Sequence, residues 1–439
     1  MTFEEVCDYI EGIAKFSVKN SNEHTRLCLN ELGNPDLTFR SVHVAGTNGK
    51  GSVCSYLASV FRESGRKTAL FTSPHLVDIR ERMVIDGEMI SKEEFVCTFE
   101  KVRAGLNKLA STGTPMPSYF EFLFLMGCVW FADKKVDIAV METGLGGRLD
   151  ATNSLERPEL SVITSISFDH MQYLGNTISE IASEKAGIIR PGVPVVCDGS
   201  RPEAAEVIRN RAGALGSEIR VLRENDYKIT HYGSGKIDFC VSFGYDGDTA
   251  FQVLSYAPYQ AENASLALLA LKTLKENNPE IYGDITPEAV KRGLLDMKWA
   301  ARMEEIAPRV FLDGGHNEDG ILRFAEAVRM ILTEAAENIG ASLIFSVVND
   351  KDFADMIRTL AEAVPWKKIY VTEIEGSRKT DSGTLKNLFA EAGRPDAEAR
   401  DSFEEAYREA LDAQGEDYLF ICGSLYLAGM AEEIANDQL

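Results

Sequence analysis

The sequence predicts an α/β protein built mainly on parallel sheet, and three observations carry that expectation. Apolar runs of strand length alternate with longer segments of helical period through most of the chain. A glycine-rich turn joins the first such strand to the first such helix. Between about 220 and 259 the alternation gives way to short β-like runs separated by Gly, Asp and Ser, as expected of a small antiparallel sheet inserted between two α/β units.

Taken in order, Ser41 to Ala45 reads as a strand, Val53 to Glu63 as a helix and Thr68 to Phe71 as the next strand, which together make a βαβ unit. Phe122 to Ala132, bounded by Glu121 and Asp133, is about half the roughly 20 residues needed to span a bilayer and reads as a buried helix. Val136 to Met141 and Leu160 to Ser165 are two further strands, each running into a polar loop. Val221 to Leu222, Ile237 to Val241 and Phe251 to Leu254 are assigned to the small antiparallel sheet, and Glu262 to Lys275 and Pro287 to Met297 to helices. After Lys298-Trp299-Ala300-Ala301-Arg302 the strand-like runs 309–312, 343–348, 368–372 and 418–422 alternate with charged amphipathic helices. The expected domains are therefore 1–298 and a smaller α/β domain over 299–439. No G-x-G-x-x-G opens a helix there, so a dinucleotide fold has no support.

Composition narrows the function. The 439 residues are 45% hydrophobic and 26% charged, which suits a folded protein and excludes a disordered or collagen-like chain. A net charge of −22 argues against broad binding to nucleic acid or anionic membrane. The N-terminal segment carries Glu4, Glu5, Asp8 and Glu11 where an export signal would be basic and then apolar. Eight cysteines without a C-x-x-C pair suggest neither a zinc site nor a disulfide framework, and reduced thiols in a cytoplasm fit them best. A monomer is the expected state.

The strongest local signal is Gly46-Thr47-Asn48-Gly49-Lys50-Gly51-Ser52, between a buried strand and a helix. Glycines let backbone N–H groups converge on phosphate oxygens, Lys50 adds a point charge, and the Ser52 hydroxyl can reach a magnesium ion. The literal Walker A pattern is not met: Gly51 separates Lys50 from Ser52, and Val44 stands at the first glycine position. Glu142, ending an apolar strand, is a candidate Mg²⁺ ligand, directly or through water. The glycines that follow it lead to Arg148 and Asp150, which either clamp a substrate or pair with each other. His75, His170 and His316 each follow a strand-like run, where a neutral imidazole can ligate a metal or position a reacting group. Magnesium prefers oxygen, so a histidine ligand to it would be unusual. Ser73 could give a hydroxyl to metal or phosphate, and Asp313 could accept hydrogen bonds from ribose hydroxyls beside Gly314 and Gly315.

In order, GTNGKGS at 46–52, SPHL at 73–76, SYFEF at 118–122, ETGLGGRLDATN at 142–153, DH at 169–170, SEKAGI at 183–188, ENA at 262–264, DGGHN at 313–317 and CGS at 422–424 resemble the folylpolyglutamate synthase and dihydrofolate synthase family of the Mur ligase superfamily. The resemblance implies an N-terminal P-loop-type ATP-binding domain and a smaller C-terminal Rossmann-like domain. It implies an ATP-dependent amide ligase that joins L-glutamate to a carboxylate of a folate or of dihydropteroate. The family's phosphate loop falls on Asn48, Gly49, Lys50, Gly51 and Ser52, and its other ATP contacts on Asn263, Arg302 and Asp313. Its Mg²⁺ ligands fall on Ser73, Glu142 and His170. Lys185 matches a lysine carried as a carbamate, which would hold a second Mg²⁺; a monovalent cation is a further expected participant. Ser118, Tyr119, Phe120 and Glu121 fall on the pterin side with Arg148, Leu149 and Asp150, although Tyr119 and Phe120 also begin the most apolar helix and one of them is expected in the core. His316 and Ser424 fall near the incoming glutamate.

The chain departs from the family pattern in three places. Ala300-Ala301-Arg302 replaces the usual Pro-Gly-Arg, Gly315 and Glu318 replace Ala and Pro, and Tyr259 stands where histidine is common. Two other classes of function remain to be weighed. A Mur-type ligase with a non-folate acceptor shares the ATP machinery, though one acting on a nucleotide sugar needs an N-terminal domain and only 45 residues precede Gly46. A non-enzymatic nucleotide-binding module needs the phosphate loop alone.

Overall fold

A computed structural model describes residues 1–13, 20–349, 353–376 and 378–437. Eight strands form the largest sheet, in the order Glu88–Met89, Met83–Ile85, Thr68–Phe71, Ile138–Glu142, Arg40–Ala45, Pro158–Ile163, Val195–Asp198 and Ile219–Leu222. The last six run parallel, and the first two are an antiparallel edge hairpin. The central strands are buried along their length, as a sheet covered on both faces requires. Val42, Val44, Val140 and Val162 face the helices Lys50–Glu63 and Tyr259–Asn277, whereas Ala69, Phe71, Ala139 and Met141 face the helix Tyr119–Lys134. That helix is apolar on nearly every side and is buried accordingly. It starts where Glu121 turns back to accept the Ser118 N–H at 2.6 Å.

A three-stranded antiparallel sheet follows, Tyr227–Gly233, Lys236–Tyr245 and Asp248–Leu254, and packs Phe239 and Phe251 into the same core. Val221 and Leu222, read from the sequence as part of this small sheet, belong instead to the parallel edge strand of the large one. A four-residue run with no helix on its far side has too little pattern to show which sheet it joins. The third sheet has six strands, ordered Arg302–Ala307, Val310–Asp313, Tyr418–Cys422, Ala341–Phe345, Lys368–Val371 and Glu398–Ala399, all parallel except the first. No helix among the described residues is long and apolar enough to cross a membrane.

Helix Pro287–Asp296 crosses helix Lys50–Glu63, the helix of the phosphate loop, at Gly293, where an added Cβ would lie 2.6 Å from the Val60 Cα. Replacing a helical glycine by alanine ordinarily gains about 1 kcal/mol. Here the overlap is with backbone that cannot step aside, and overpacking of about 1–3 kcal/mol exceeds that gain. Gly293→Ala is therefore expected to lower the urea midpoint; an unchanged or raised midpoint would show that the two helices separate freely.

Candidate active site

The carboxyl ends of four neighbouring strands of the large sheet point at the carboxyl ends of strands from the third, and a cavity of about 480 Å³ lies between them. Ligands gather at such strand ends because the loops there converge where the strand order switches. The strand Arg40–Ala45 runs into Gly46–Gly49, and the helix begins at Lys50. Gly49 turns the chain at φ 83°, a conformation that favours glycine, and a Cβ there would stand 2.4 Å from the Asn263 Oδ1. Gly51 is covered by the Trp299 ring, 2.5 Å from where a Cβ would sit. Helix N–H groups are thus left facing the cavity.

The loop is tied to its surroundings through its carbonyls. Thr164 Oγ1 and Ser165 Oγ donate to the Asn48 oxygen at 2.7 and 3.3 Å, and Lys185 Nζ donates to the Gly46 oxygen at 2.6 Å. Lys50 Nζ donates to the Thr47 oxygen at 3.1 Å and lies 3.9 Å from Glu142. Burial pushes the Glu142 carboxyl up to about 7 against the opposing pull of Lys50 and the Ser73 N–H, which donates to it at 3.2 Å. Burial also pulls Lys185 down to about 7, helped by the nearby Lys50 charge. The residues that close the phosphate end are therefore poised to change charge near neutrality.

The opposite wall comes from the third sheet. Asp313 accepts from Tyr259 Oη at 2.6 Å, from the Met303 N–H at 2.9 Å and from the Gly315 N–H at 2.8 Å. Burial raises its pKa, partly offset by Arg302. Ala301, at the glycine position of the family turn, sits at φ 52° and presents Arg302 with its Nη1 on the Ala301 carbonyl at 2.7 Å. Asn317 joins the two walls: its Nδ2 donates to Asn48 Oδ1 at 3.0 Å and to Asp169 Oδ2 at 3.2 Å, and Asn48 Nδ2 donates back at 3.2 Å. His316 Nδ1 lies 2.8 Å from the Gly314 oxygen, which can only accept, so Nδ1 carries the proton and Nε2, 3.8 Å from Asp169, is the acceptor in the neutral ring.

Of the residues singled out from sequence, Asn48, Gly49, Lys50, Gly51, Ser52, Ser73, Tyr119, Glu142, His170, Lys185, Asn263, Arg302, Asp313, His316 and Ser424 all line this one cavity. Ser118, Phe120, Glu121, Arg148, Leu149 and Asp150 do not. Phe120 packs on Phe71 and covers Gly144 but stays partly exposed, whereas Tyr119 is the more buried ring, belongs to the core cluster and also lines the cavity. Glu121 is spent on the Ser118 N–H and on Asn20 Nδ2 at 2.8 Å. Arg148 pairs with Glu184 at 2.8 Å rather than with Asp150, and Leu149 is exposed. Asp150 accepts the N–H groups of Gly144 and Leu145, each at 2.9 Å, and the Thr152 hydroxyl at 2.6 Å. Thr152 in turn accepts from His43 Nε2 at 2.7 Å, so this buried chain shapes the glycine loop after Glu142.

Sequence reasoning did not single out Gln260, Asn317, Trp299 or Arg82 as site residues, and it noted Tyr259 only as a departure. Gln260 donates to Ser52 Oγ at 3.2 Å and accepts from Asn263 at 3.1 Å. Its signal was its place three residues before Asn263, on the same helix face. Trp299 and Arg82 had none, because only the packing of distant segments brings Arg82 to the cavity and Trp299 over Gly51.

The profile of the Mur ligase middle domain matches residues 105–271. The dihydrofolate synthase/folylpolyglutamate synthase of Bacillus subtilis is 35% identical over 383 residues, covering 82% of this chain and 84% of that protein. The apo form of L. casei FPGS superposes with a TM-score of 0.83 at 30% identity, over 99% of this chain and 100% of that one. E. coli FolC in complex with DHPP and ADP gives 0.84 at 25% identity, over 100% and 98%. With a phosphate loop, a buried carboxylate and a second sheet closing one cavity, the chain belongs to the folylpolyglutamate synthase and dihydrofolate synthase family of ATP-dependent ligases.

Proposed function

We propose that the protein joins the amine of L-glutamate to a carboxylate of dihydropteroate or of a reduced folate, with cleavage of ATP to ADP and phosphate. The observation that carries this reading is the single cavity in which phosphate loop, Glu142, Lys185, Asp313, His316 and Ser424 meet from two sheets. A module that only bound nucleotide would need the loop and not the second wall.

The acceptor carboxylate oxygen attacks the γ-phosphorus, and the bond to the β–γ bridging oxygen breaks, releasing ADP and leaving an acyl phosphate. The glutamate nitrogen, as the free amine, then attacks the acyl carbon, loses a proton, and phosphate departs. Lys50 and the helix N–H groups hold the triphosphate, and Asn263, Arg302 and Asp313 hold the rest of the nucleotide. Most of the rate comes from alignment and from charge neutralisation at the transferred phosphoryl group. His316, its Nδ1 held on the Gly314 carbonyl, orients the amine, with Ser424 also lining the cavity.

Glu142 and Ser73 offer hard oxygen donors on adjoining strand ends, and among the described residues no group of three or more His, Cys, Asp or Glu is gathered as a metal cage. That donor set fits Mg²⁺, which takes one or two protein oxygens and fills its shell with phosphate and water. His170, also at the cavity, is the third proposed ligand. Bound there, the ion would neutralise phosphate charge and polarise the γ-phosphoryl group. Lys185 has a substantial neutral fraction near pH 7, the form that adds CO₂ with loss of a proton to give a carbamate, and this would supply an anionic ligand for a second Mg²⁺.

Lys50→Ala is expected to reduce ATP-dependent incorporation of labelled glutamate, with dihydropteroate or tetrahydrofolate as acceptor, by about 100-fold or more while the circular dichroism stays native; undiminished turnover would remove Lys50 from the mechanism. A second expectation concerns pH. Because the folded-state Glu142 pKa is raised, the native protein binds more protons than the unfolded chain between about 4.5 and about 7, so stability falls as pH rises through that window. Glu142→Gln should therefore stabilise the ligand-free protein by up to about 3 kcal/mol at pH 8 and leave it nearly unchanged at pH 4. Equal Tm shifts at both pH values would contradict this reading.

A further inference from the structure

Among the described residues, Arg82 is a buried cation with no ion-paired carboxylate. It closes the short turn Ile79–Arg82 that leads into the edge hairpin, and its backbone oxygen accepts the Thr72 N–H at 3.2 Å, which fixes the turn against the Ser73 loop. Its side chain is 6% exposed and lines the cavity beside Ser73, His75, Tyr119 and Glu142. Nε donates to His75 Nδ1 at 2.9 Å, and the guanidinium lies 5.6 Å over the Tyr119 ring. Among the described residues no carboxylate ion-pairs with it, and neither terminal nitrogen donates to a protein acceptor.

The two carboxylates whose fields reach Arg82 are already engaged. Glu81 accepts the N–H groups of Leu76, Val77 and Asp78 at 2.6, 2.9 and 2.6 Å. Glu142 accepts from Ser73 and faces Lys50. A guanidinium stays charged at any pH at which proteins fold, and a buried charge without a partner is costly. Elsewhere in this chain the mostly buried Arg26 meets Asp36 through two nitrogens, at 2.6 and 2.8 Å. What Arg82 lacks, the cavity must supply, and its free terminal nitrogens suit a planar, two-oxygen anion.

We propose that Arg82 is the recognition group for the acceptor's reacting carboxylate, which it grips from the side of the cavity formed by Ser73, Tyr119 and Glu142. This rests on the ligase reading above. A γ-phosphate offers the same oxyanion chemistry, but the phosphates already have Lys50 and the helix N–H groups, whereas Arg82 stands over Tyr119, the one aromatic residue of the 118–121 segment that lines the cavity. The grip sets the carboxylate's position beside Ser73 and Glu142, where the phosphoryl group is to be received.

The test compares binding of tetrahydrofolate and dihydropteroate with binding of their carboxamides, neutral at the reacting carboxyl, in wild type, Arg82→Gln and Arg82→Lys. Affinity for ADP and for a non-hydrolysable ATP analogue is read in parallel. Wild type should prefer carboxylate to carboxamide by about 10- to 100-fold. Arg82→Gln should abolish that preference with carboxamide binding unchanged, and Arg82→Lys should keep part of it. Nucleotide affinities should not move. Retention of the preference in Arg82→Gln overturns the proposal, and so does a loss confined to the ATP analogue, which would place Arg82 on the γ-phosphate. If Arg82→Gln does not fold, the same comparison in Arg82→Lys decides, since a full preference there excludes two-nitrogen recognition. A wild type that makes no glutamate adduct from either acceptor would be a failure of the ligase reading itself; an active wild type with indifferent Arg82 variants would sink this inference alone.

Discussion

The phosphate loop can exist only because no side chain grows from it where the rest of the protein presses in. At Gly46 an added Cβ would overlap Thr164, at Gly49 Asn263 and at Gly51 Trp299. Those three neighbours come from a strand-end loop of the large sheet, from the helix Tyr259–Asn277 and from the segment leading into the third sheet. Close approach on three sides keeps side chains off the three glycines, so the loop offers backbone N–H groups to the cavity alongside the Asn48, Lys50 and Ser52 side chains. The hydroxyls of Thr164 and Ser165 and the Lys185 amine then take up the carbonyls that such a turn strands. Loop, sheet and second wall are thus one packing problem with a single solution.

Around that loop the electrostatics are balanced for a guest. Glu142 is raised and Lys185 lowered by the same burial, so each sits near the pH at which its charge is lost. Asp313 is stabilised by a tyrosine hydroxyl and two N–H groups rather than by a close ion pair. Burying such groups costs stability, and clustered perturbed charges of this kind are what a ligand site is built from. The reciprocal amide pair of Asn48 and Asn317, flanked by Asp169 and Asp319, gives the two walls a polar seam.

Much of this was legible in the residues. The strand-and-helix alternation, the glycine turn before Lys50 and the acid ending Ile138–Glu142 are local patterns, and local sterics dictate them. Val221 and Leu222 join the large sheet rather than the small one because so short a run has no period to show its partner, and the edge hairpin at Met83–Met89 is too short to be read for the same reason. The segment 118–121 shows how far the pattern reaches: an apolar helix opening with an aromatic pair announces that one ring is core, but only the packing makes Tyr119 the more buried ring and leaves Phe120 partly exposed over Gly144.

What the sequence by itself determined was the class of fold, the family and the presence of phosphate-binding, acidic and basic groups at strand ends, since these depend on residue type and short-range spacing. Only the tertiary structure decided which of them share a cavity. It diverted Arg148 to Glu184, committed Asp150 to the glycine loop and set Tyr259 on Asp313. It also left Arg82 buried at the cavity beside Ser73 and Glu142, with no carboxylate ion-paired to it among the described residues. The physical reason is that burial and charge pairing act through space, between residues as far apart in the chain as Asn48 and Asn317, and no local pattern encodes which charge a folded neighbour will have neutralised.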